Sequence, residues 1–252
     1  MNAGCWGPPG AAPPPAAASP SGAAPPTGGP VVACNDVTKV YRLEGAEVVA
    51  LAGVDKSFHA GQVTTVVGPS GSGKSSLLRI LALVDRPTTG SVRIRREEVG
   101  CVGVRGRRLV RRTEIGYLFQ DPAANLVESL DATEQLRFAA RLRGLRPDPA
   151  EVSRLLGLLG LEHRARHRPV QLSGGEQQRL AVACAVLGRP SLVIADEPTA
   201  ELDSASADRV LAAFTALSGE GVAFVLSSHD PRVVERTDHL LRLDRGHPVE
   251  SW

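Results

Sequence analysis

From Val31 onward, short apolar runs alternate with stretches of helical periodicity, and two of those runs carry the argument for the fold. Leu192-Val193-Ile194-Ala195, within a strand predicted at 191 to 195, and Ala223-Phe224-Val225-Leu226, within one predicted at 223 to 228, are apolar at every position. A strand with one face in water alternates, so an unbroken run marks a strand covered on both faces, as in a parallel sheet flanked by helices. Further strands are predicted at 48 to 58, 63 to 68, 91 to 95 and 114 to 119. Helices are predicted at 74 to 84, 131 to 143, 150 to 159, 173 to 187, 204 to 217 and 231 to 236. Residues from about 121 to 190 show helical patterning without a strand, which reads as a helical subdomain inserted into an α/β core. Residues 1 to 30 are dominated by Pro, Ala, Gly and Ser. Such a composition buries too little apolar surface to offset chain ordering, so a disordered tail is expected there and a folded domain over 31 to 252.

The first chemistry-bearing segment sits between a predicted strand and a predicted helix. Gly68-Pro69-Ser70-Gly71-Ser72-Gly73-Lys74-Ser75 fits G-x-x-x-x-G-K-[ST], and the strand before it and helix after it are the context a phosphate-binding loop requires. Glycines let successive backbone N–H groups turn inward around phosphate oxygens, and the helix N-terminus adds its positive dipole end. Lys74 supplies a point charge for the β- and γ-phosphates, and the Ser75 hydroxyl is placed to ligate Mg²⁺. A second segment, Leu192 to Glu197, is a buried strand ending in two carboxylates, where an open α/β sheet displays its ligand groups. Asp196 would hold Mg²⁺, in part through water, and Glu197 would orient or deprotonate the water attacking the γ-phosphate.

Leu172-Ser173-Gly174-Gly175-Glu176-Gln177-Gln178-Arg179 discriminates further. Ser173 and Glu176 form a capping-box pattern, which explains a helix start without any ligand. The two glycines inside the box also bare backbone N–H groups, making an anion site. This segment resembles the signature motif of ABC (ATP-binding cassette) ATPases. The flanks around Tyr41 (VTKVYRLEG), the stretch DRPTTGSVRI from Asp85 and DEPTAELD from Asp196 are similar to bacterial lipoprotein-release and macrolide-export type ATPases. The resemblance covers essentially 31 to 245. It implies an α/β fold: a P-loop NTPase core with a mostly parallel sheet, an N-terminal antiparallel β subdomain and an inserted α-helical subdomain. It also implies ATP and Mg²⁺ as ligands and ATP hydrolysis coupled to transport, export being the direction those relatives suggest. Tyr41 sits where the family stacks an aromatic on adenine. Gln120 resembles the Q-loop glutamine that touches Mg²⁺ or the water and faces the membrane partner. Ala200-Glu201-Leu202-Asp203 resembles the D-loop, and His229 matches the switch histidine at the γ-phosphate. In the family two cassettes meet head to tail, so Ser173, Gly174, Gly175 and Glu176 are expected to act on a partner's ATP. The partners implied are permease subunits on separate chains and a second cassette, identical or related. The alternative is an ABC-type ATPase that regulates a membrane complex, such as a cell-division or cell-wall hydrolase system, without transport.

This sequence departs from those relatives in two places. Ser76 stands where Thr is common, and Asn125-Leu126-Val127-Glu128-Ser129-Leu130-Asp131-Ala132-Thr133-Glu134-Gln135-Leu136 replaces an NLLPxLTxxENV-like stretch on the surface expected to face the membrane partner.

Composition alters this picture little. Hydrophobic residues make up 42% and charged residues 22% of 252 positions, and the formal net charge is +2, too small to argue for nucleic acid. Cys5, Cys34, Cys101 and Cys184 are scattered, without the spacing of a metal site, and are expected to be reduced thiols. No apolar run approaches the length needed to cross a bilayer, and no secretory signal pattern opens the chain. A peripheral place on the cytoplasmic face of a bacterial membrane is therefore expected. The cluster Arg105, Arg107, Arg108, Arg111 and Arg112 reads as a solvated charged loop.

Overall fold

A computed structural model describes residues 29 to 249 apart from 44, 96, 100 and 101. The tail expected over 1 to 30, except its last two residues, lies outside them, as do Cys5 and Cys101.

Among the described residues the strands form two sheets. The first is antiparallel, with β1 (Val32–Leu43), β2 (Ala46–Phe58), β4 (Thr89–Ile94) and β5 (Glu97–Glu98) in the order β2-β1-β4-β5. The second contains β3 (Val63–Val67), β6 (Ile115–Leu118), β7 (Leu192–Asp196), β8 (Ala223–Ser227), β9 (His239–Asp244) and β10 (His247–Val249) in the order β10-β9-β3-β8-β7-β6. Every pairing from β9 to β6 is parallel, and β10 alone runs antiparallel at the edge.

The unbroken apolar runs lie where their composition requires. In β7, Leu192 and Ile194 face one core cluster while Val193 and Ala195 face the other, and all four are fully buried. In β8, Phe224 meets Phe214 at a ring-centroid distance of 5.0 Å on one side, while Val225 packs with Leu77 and Leu78 on the other. Both faces are thus covered by helices.

The helices of the core are α1 (Lys74–Leu81), α2 (Val104–Glu114), α6 (Ser204–Gly219) and α7 (Pro231–Glu235). Between β6 and β7 the described chain is helix and loop, with α3 (Ala132–Leu142), α4 (Pro149–Leu158) and α5 (Gly174–Val186). Asp131, Asp148, Ser173, Asp203 and Asp230 cap the N-termini of α3, α4, α5, α6 and α7 with side-chain oxygens. Each satisfies backbone N–H groups that would otherwise lack a partner.

The hydrophobic pattern did not predict β1, β5, β9, β10 or α2, and for β1 and α2 the structure shows why. Strand β1 has register shifts between Cys34 and Val37, between Val37 and Lys39, and between Lys39 and Val40, so bulges break its two-residue period. The arginine cluster, read as a loop, is the helix α2, which has no fully buried residue and therefore no apolar stripe. Arginine is itself a good helix former. Arg107 is not simply solvated: its guanidinium donates to the carbonyls of Leu83 and Asp85, each at 2.7 Å, where the chain leaves α1.

Candidate active site

Parallel strands β3, β8, β7 and β6 are consecutive neighbours, so the loops leaving their C-terminal ends emerge along one edge of the sheet. The phosphate-loop segment follows β3, Gln120 follows β6, the Asp196–Glu197 pair closes β7, and His229 follows β8. Together they line a cavity of about 610 Å³ containing every residue from Gly68 to Ser76, with Gln120, Asp196, Glu197, His229 and the β2 residues Val48, Val49 and Ala50.

The loop is shaped by backbone conformations that only glycine adopts without strain. Gly73 has φ +103°, and a Cβ there would lie 2.2 Å from the Ala50 carbonyl oxygen. Its position lets β2 press directly on the loop. We expect Gly73→Ala to lower stability by roughly 2 kcal/mol or more and to weaken nucleotide binding, as read by denaturant unfolding and ATP titration. Unaltered unfolding and binding would show that the loop tolerates a side chain there. Gly73 also leaves the α1 N-terminus without the side-chain cap that α3 to α7 have. Its first-turn N–H groups remain directed at the cavity, the arrangement that binds anions. Lys74 reaches back across the loop, donating to the carbonyls of Gly68 at 2.7 Å and Pro69 at 3.1 Å.

Opposite the loop stands the acidic end of β7. Ser227, on the adjacent strand, donates to Asp196 Oδ1 at 2.5 Å and accepts the Glu197 backbone N–H at 2.9 Å. That hydroxyl fixes both acids. Glu197 takes φ +49°, uncommon for a residue with a side chain, so its orientation is set by the surrounding backbone rather than by local preference. His229 Nδ1 lies 3.0 Å from the Glu197 carboxylate, whose side chain is 19% exposed against 76% for the histidine. Ser75, Asp196 and Gln120 offer a hydroxyl, a carboxylate and an amide on one cavity, a hard oxygen set that suits Mg²⁺.

The remaining predicted residues lie outside this cavity. Ser173 and Glu176 complete the capping box of α5, with Glu176 N donating to Ser173 Oγ at 3.3 Å and Ser173 N to Glu176 Oε2 at 2.8 Å. Burial raises the Glu176 carboxyl, but hydrogen bonds from Ser173 and the Arg164 guanidinium at 2.9 Å outweigh it and hold the group at about 2. Gly174 begins the helix with open space where a side chain would stand, whereas Gly175 is pressed against Ser206 at the start of α6. Asp203 caps α6 through the Ser206 N–H at 3.0 Å. Tyr41 is absent from the lining but pairs directly across the β1–β2 ladder with Val48, which is part of it. Directly opposed residues project from the same sheet face.

Ser227 is the residue that sequence reasoning missed. Its signal was its place at the end of an apolar strand, one position before the loop carrying His229. Asn125 and Gln135 were missed as well. Asn125 accepts from Phe119 N at 3.1 Å, and Gln135 bridges Val127 and Leu130, fastening the loop that follows Gln120.

A family model described as ABC transporter matches residues 51–200. The chain belongs to the ABC transporter family. Among curated relatives of this cassette, the lipoprotein-releasing system ATP-binding protein LolD 1 of Rhodospirillum rubrum is 40% identical over 212 residues, covering 82% of this chain and 93% of that protein. The macrolide export ATP-binding/permease protein MacB of Wolinella succinogenes is 37% identical over 221 residues, covering 86% of this chain but 34% of its own length. Among solved structures, a dimeric ATP-binding cassette in a post-hydrolysis state bound to ADP and Pi aligns with TM-score 0.77 and 31% identity over 87% of this chain and 97% of that one. The cassette is therefore an ATP-binding, ATP-hydrolysing enzyme with the α/β fold expected. Among the described residues, no helix is long and apolar enough to cross a membrane. Cys34 is buried and Cys184 half-buried, both are unpaired, and burial pushes both thiols up to about 12.

Proposed function

We propose that this cassette works at the cytoplasmic face of a bacterial membrane, driving an exporter whose membrane-spanning subunits are separate chains, by closing head to tail on ATP with a second cassette. The observation that carries this reading is the division of the nucleotide-directed groups. The phosphate loop, both carboxylates, Gln120 and His229 share one cavity, whereas the α5 N-terminus with Ser173, Gly174, Gly175 and Glu176 does not line it. A second copy would complete the site by bringing that helix N-terminus to the γ-phosphate. Relatives named for lipoprotein release and macrolide export support the export direction.

In this mechanism Gly68 to Gly73 wrap the phosphates with backbone N–H groups, and Lys74 exchanges its loop carbonyls for phosphate oxygens. Mg²⁺, when held by Ser75 and Asp196 with Gln120 beside it, supplies charge neutralisation of the β- and γ-phosphates. Glu197 accepts a hydrogen bond, and then the proton, from the attacking water. His229 lies beside that carboxylate and orients it while directing its other ring nitrogen toward the γ-phosphate. Tyr41, on the sheet face next to Val48, stacks on adenine, and Asp203 and its loop face the partner cassette. Closure excludes water, which strengthens each of these interactions.

The experiment is affinity purification of the full chain from its native membranes, with and without ATP. A multi-span permease in the eluate is the expected result. A cell-wall hydrolase complex without a permease would replace transport by regulation.

A further inference from the structure

The segment leaving α1 carries a carboxylate that the catalytic scheme does not use. Asp85 Oδ1 accepts the Lys39 ammonium at 2.7 Å and the Arg86 backbone N–H at 2.7 Å, while Oδ2 accepts the Tyr41 hydroxyl at 3.0 Å. Ser76 Oγ, on the first turn of α1, lies 3.4 Å from the same phenol oxygen. Lys39 in turn donates to the Arg86 carbonyl at 2.9 Å and places its ammonium 4.8 Å from the centre of the Tyr41 ring. The Asp85 backbone is held as well, by its own N–H to the Arg79 carbonyl at 3.1 Å and by Arg107 at its carbonyl.

We infer that Asp85 is a positioning residue for nucleobase recognition: it locks Tyr41 and Lys39 into a rigid platform and ties that platform to the phosphate-loop helix through Ser76. This rests on the reading of Tyr41 as the base-stacking residue. An aromatic side chain on a strand near a sheet edge can rotate, and stacking that must first order the ring is weaker than stacking on a ring already fixed. Here three contacts fix it. The hydroxyl is held at its tip by Asp85 and Ser76, and one ring face is taken by the Lys39 ammonium in a cation–π contact, so a flat base would stack on the opposite face. Asp85 is well suited to hold both partners in place. Burial raises its carboxyl, but the Lys39, Arg86 and Tyr41 hydrogen bonds outweigh that and keep it below the usual carboxylate range. The bulges in β1 contribute by changing its alternation between Val37 and Val40, immediately before Tyr41. The platform therefore recognises a flat purine, not the phosphates, and its loss should be felt by nucleotides and not by a ligand that lacks a base.

The test compares Mg²⁺–ATP with Mg²⁺–tripolyphosphate, which presents the phosphate chain alone, by equilibrium titration of the full chain carrying Asp85→Asn, Tyr41→Phe, both together, or Tyr41→Ala. The expected result is that Asp85→Asn and Tyr41→Phe each weaken ATP about five- to tenfold, a fraction of a stacking contact, and leave tripolyphosphate unchanged. The double variant should be no weaker than Asp85→Asn alone, because Asp85→Asn already disrupts the Tyr41 tether that Tyr41→Phe removes. In turnover the loss should appear in KM with kcat retained, and Asp85→Glu should restore part of it. Normal ATP affinity in Asp85→Asn alongside a loss in Tyr41→Ala would overturn the positioning role and leave base stacking intact. Normal affinity in Tyr41→Ala would overturn base stacking itself, and the positioning role with it. Equal losses for ATP and tripolyphosphate would show that Asp85 supports only the loop's fold, which also overturns the inference.

Discussion

Glu197→Gln should hold ATP with undiminished affinity and hydrolyse it at least about 10²-fold more slowly than the unmodified chain, because an amide still hydrogen-bonds a water but cannot take its proton. The exchange conserves shape. The backbone N–H of Glu197 stays on Ser227, and the amide oxygen still fits beside His229 at the 3.0 Å separation seen for the carboxylate. Binding groups on the phosphate loop are untouched, so bound ATP persists and an ATP-held dimer should accumulate on size exclusion. ATPase rate and elution volume, measured together, check both halves. A variant that stays monomeric with ATP and hydrolyses it at the normal rate would show that another group activates the water.

Much of this site was legible because its chemistry is written in contiguous segments. Gly68 to Ser75 lie in one loop after one strand, Asp196 and Glu197 are adjacent, and the LSGGE segment is local. The apolar runs of β7 and β8 revealed a sheet covered on both faces, since four consecutive buried positions leave no polar face for water. What escaped notice depends on contacts between distant segments. Ser227 gains its role only because β8 lies beside β7, and its place at the end of an apolar strand marks the position without naming Asp196 as the partner of its hydroxyl. Strand β1 was hidden by its bulges, and α2 by a composition whose arginines bury no stripe. In α2, Arg107 is read as loop charge until the carbonyls of Leu83 and Asp85 are found against it. The capping box at Ser173 was readable as a helix start, yet whether the same N–H groups also serve a second cassette is a question of assembly.

That question gives the second large effect. A subunit with Ser173→Arg keeps its own phosphate loop, but its α5 N-terminus carries a bulky side chain where the γ-phosphate of a partner would approach. A Lys74→Ala subunit keeps α5 and lacks the ammonium that meets the phosphates, a loss expected to slow turnover by about 10²-fold or more. If each ATP lies between one subunit's loop and the other's α5, each variant alone spoils both sites of its dimer. A mixed dimer places both lesions in one site and none in the other. Loss of the Ser173 cap costs about 1 kcal/mol, too little to unfold a domain, so inactivity of that variant would reflect the site.

The decisive measurement is ATPase rate against mixing ratio of these two variants at constant total protein, with the membrane partner present. The account predicts little activity at either end and a maximum near equal mixing, where about a quarter of the sites are intact in a randomly assorted two-fold dimer. Ser173→Arg alone hydrolysing ATP at the unmodified rate over a range of protein concentrations would contradict it, leaving the α5 N-terminus as a helix cap and the composite site without support.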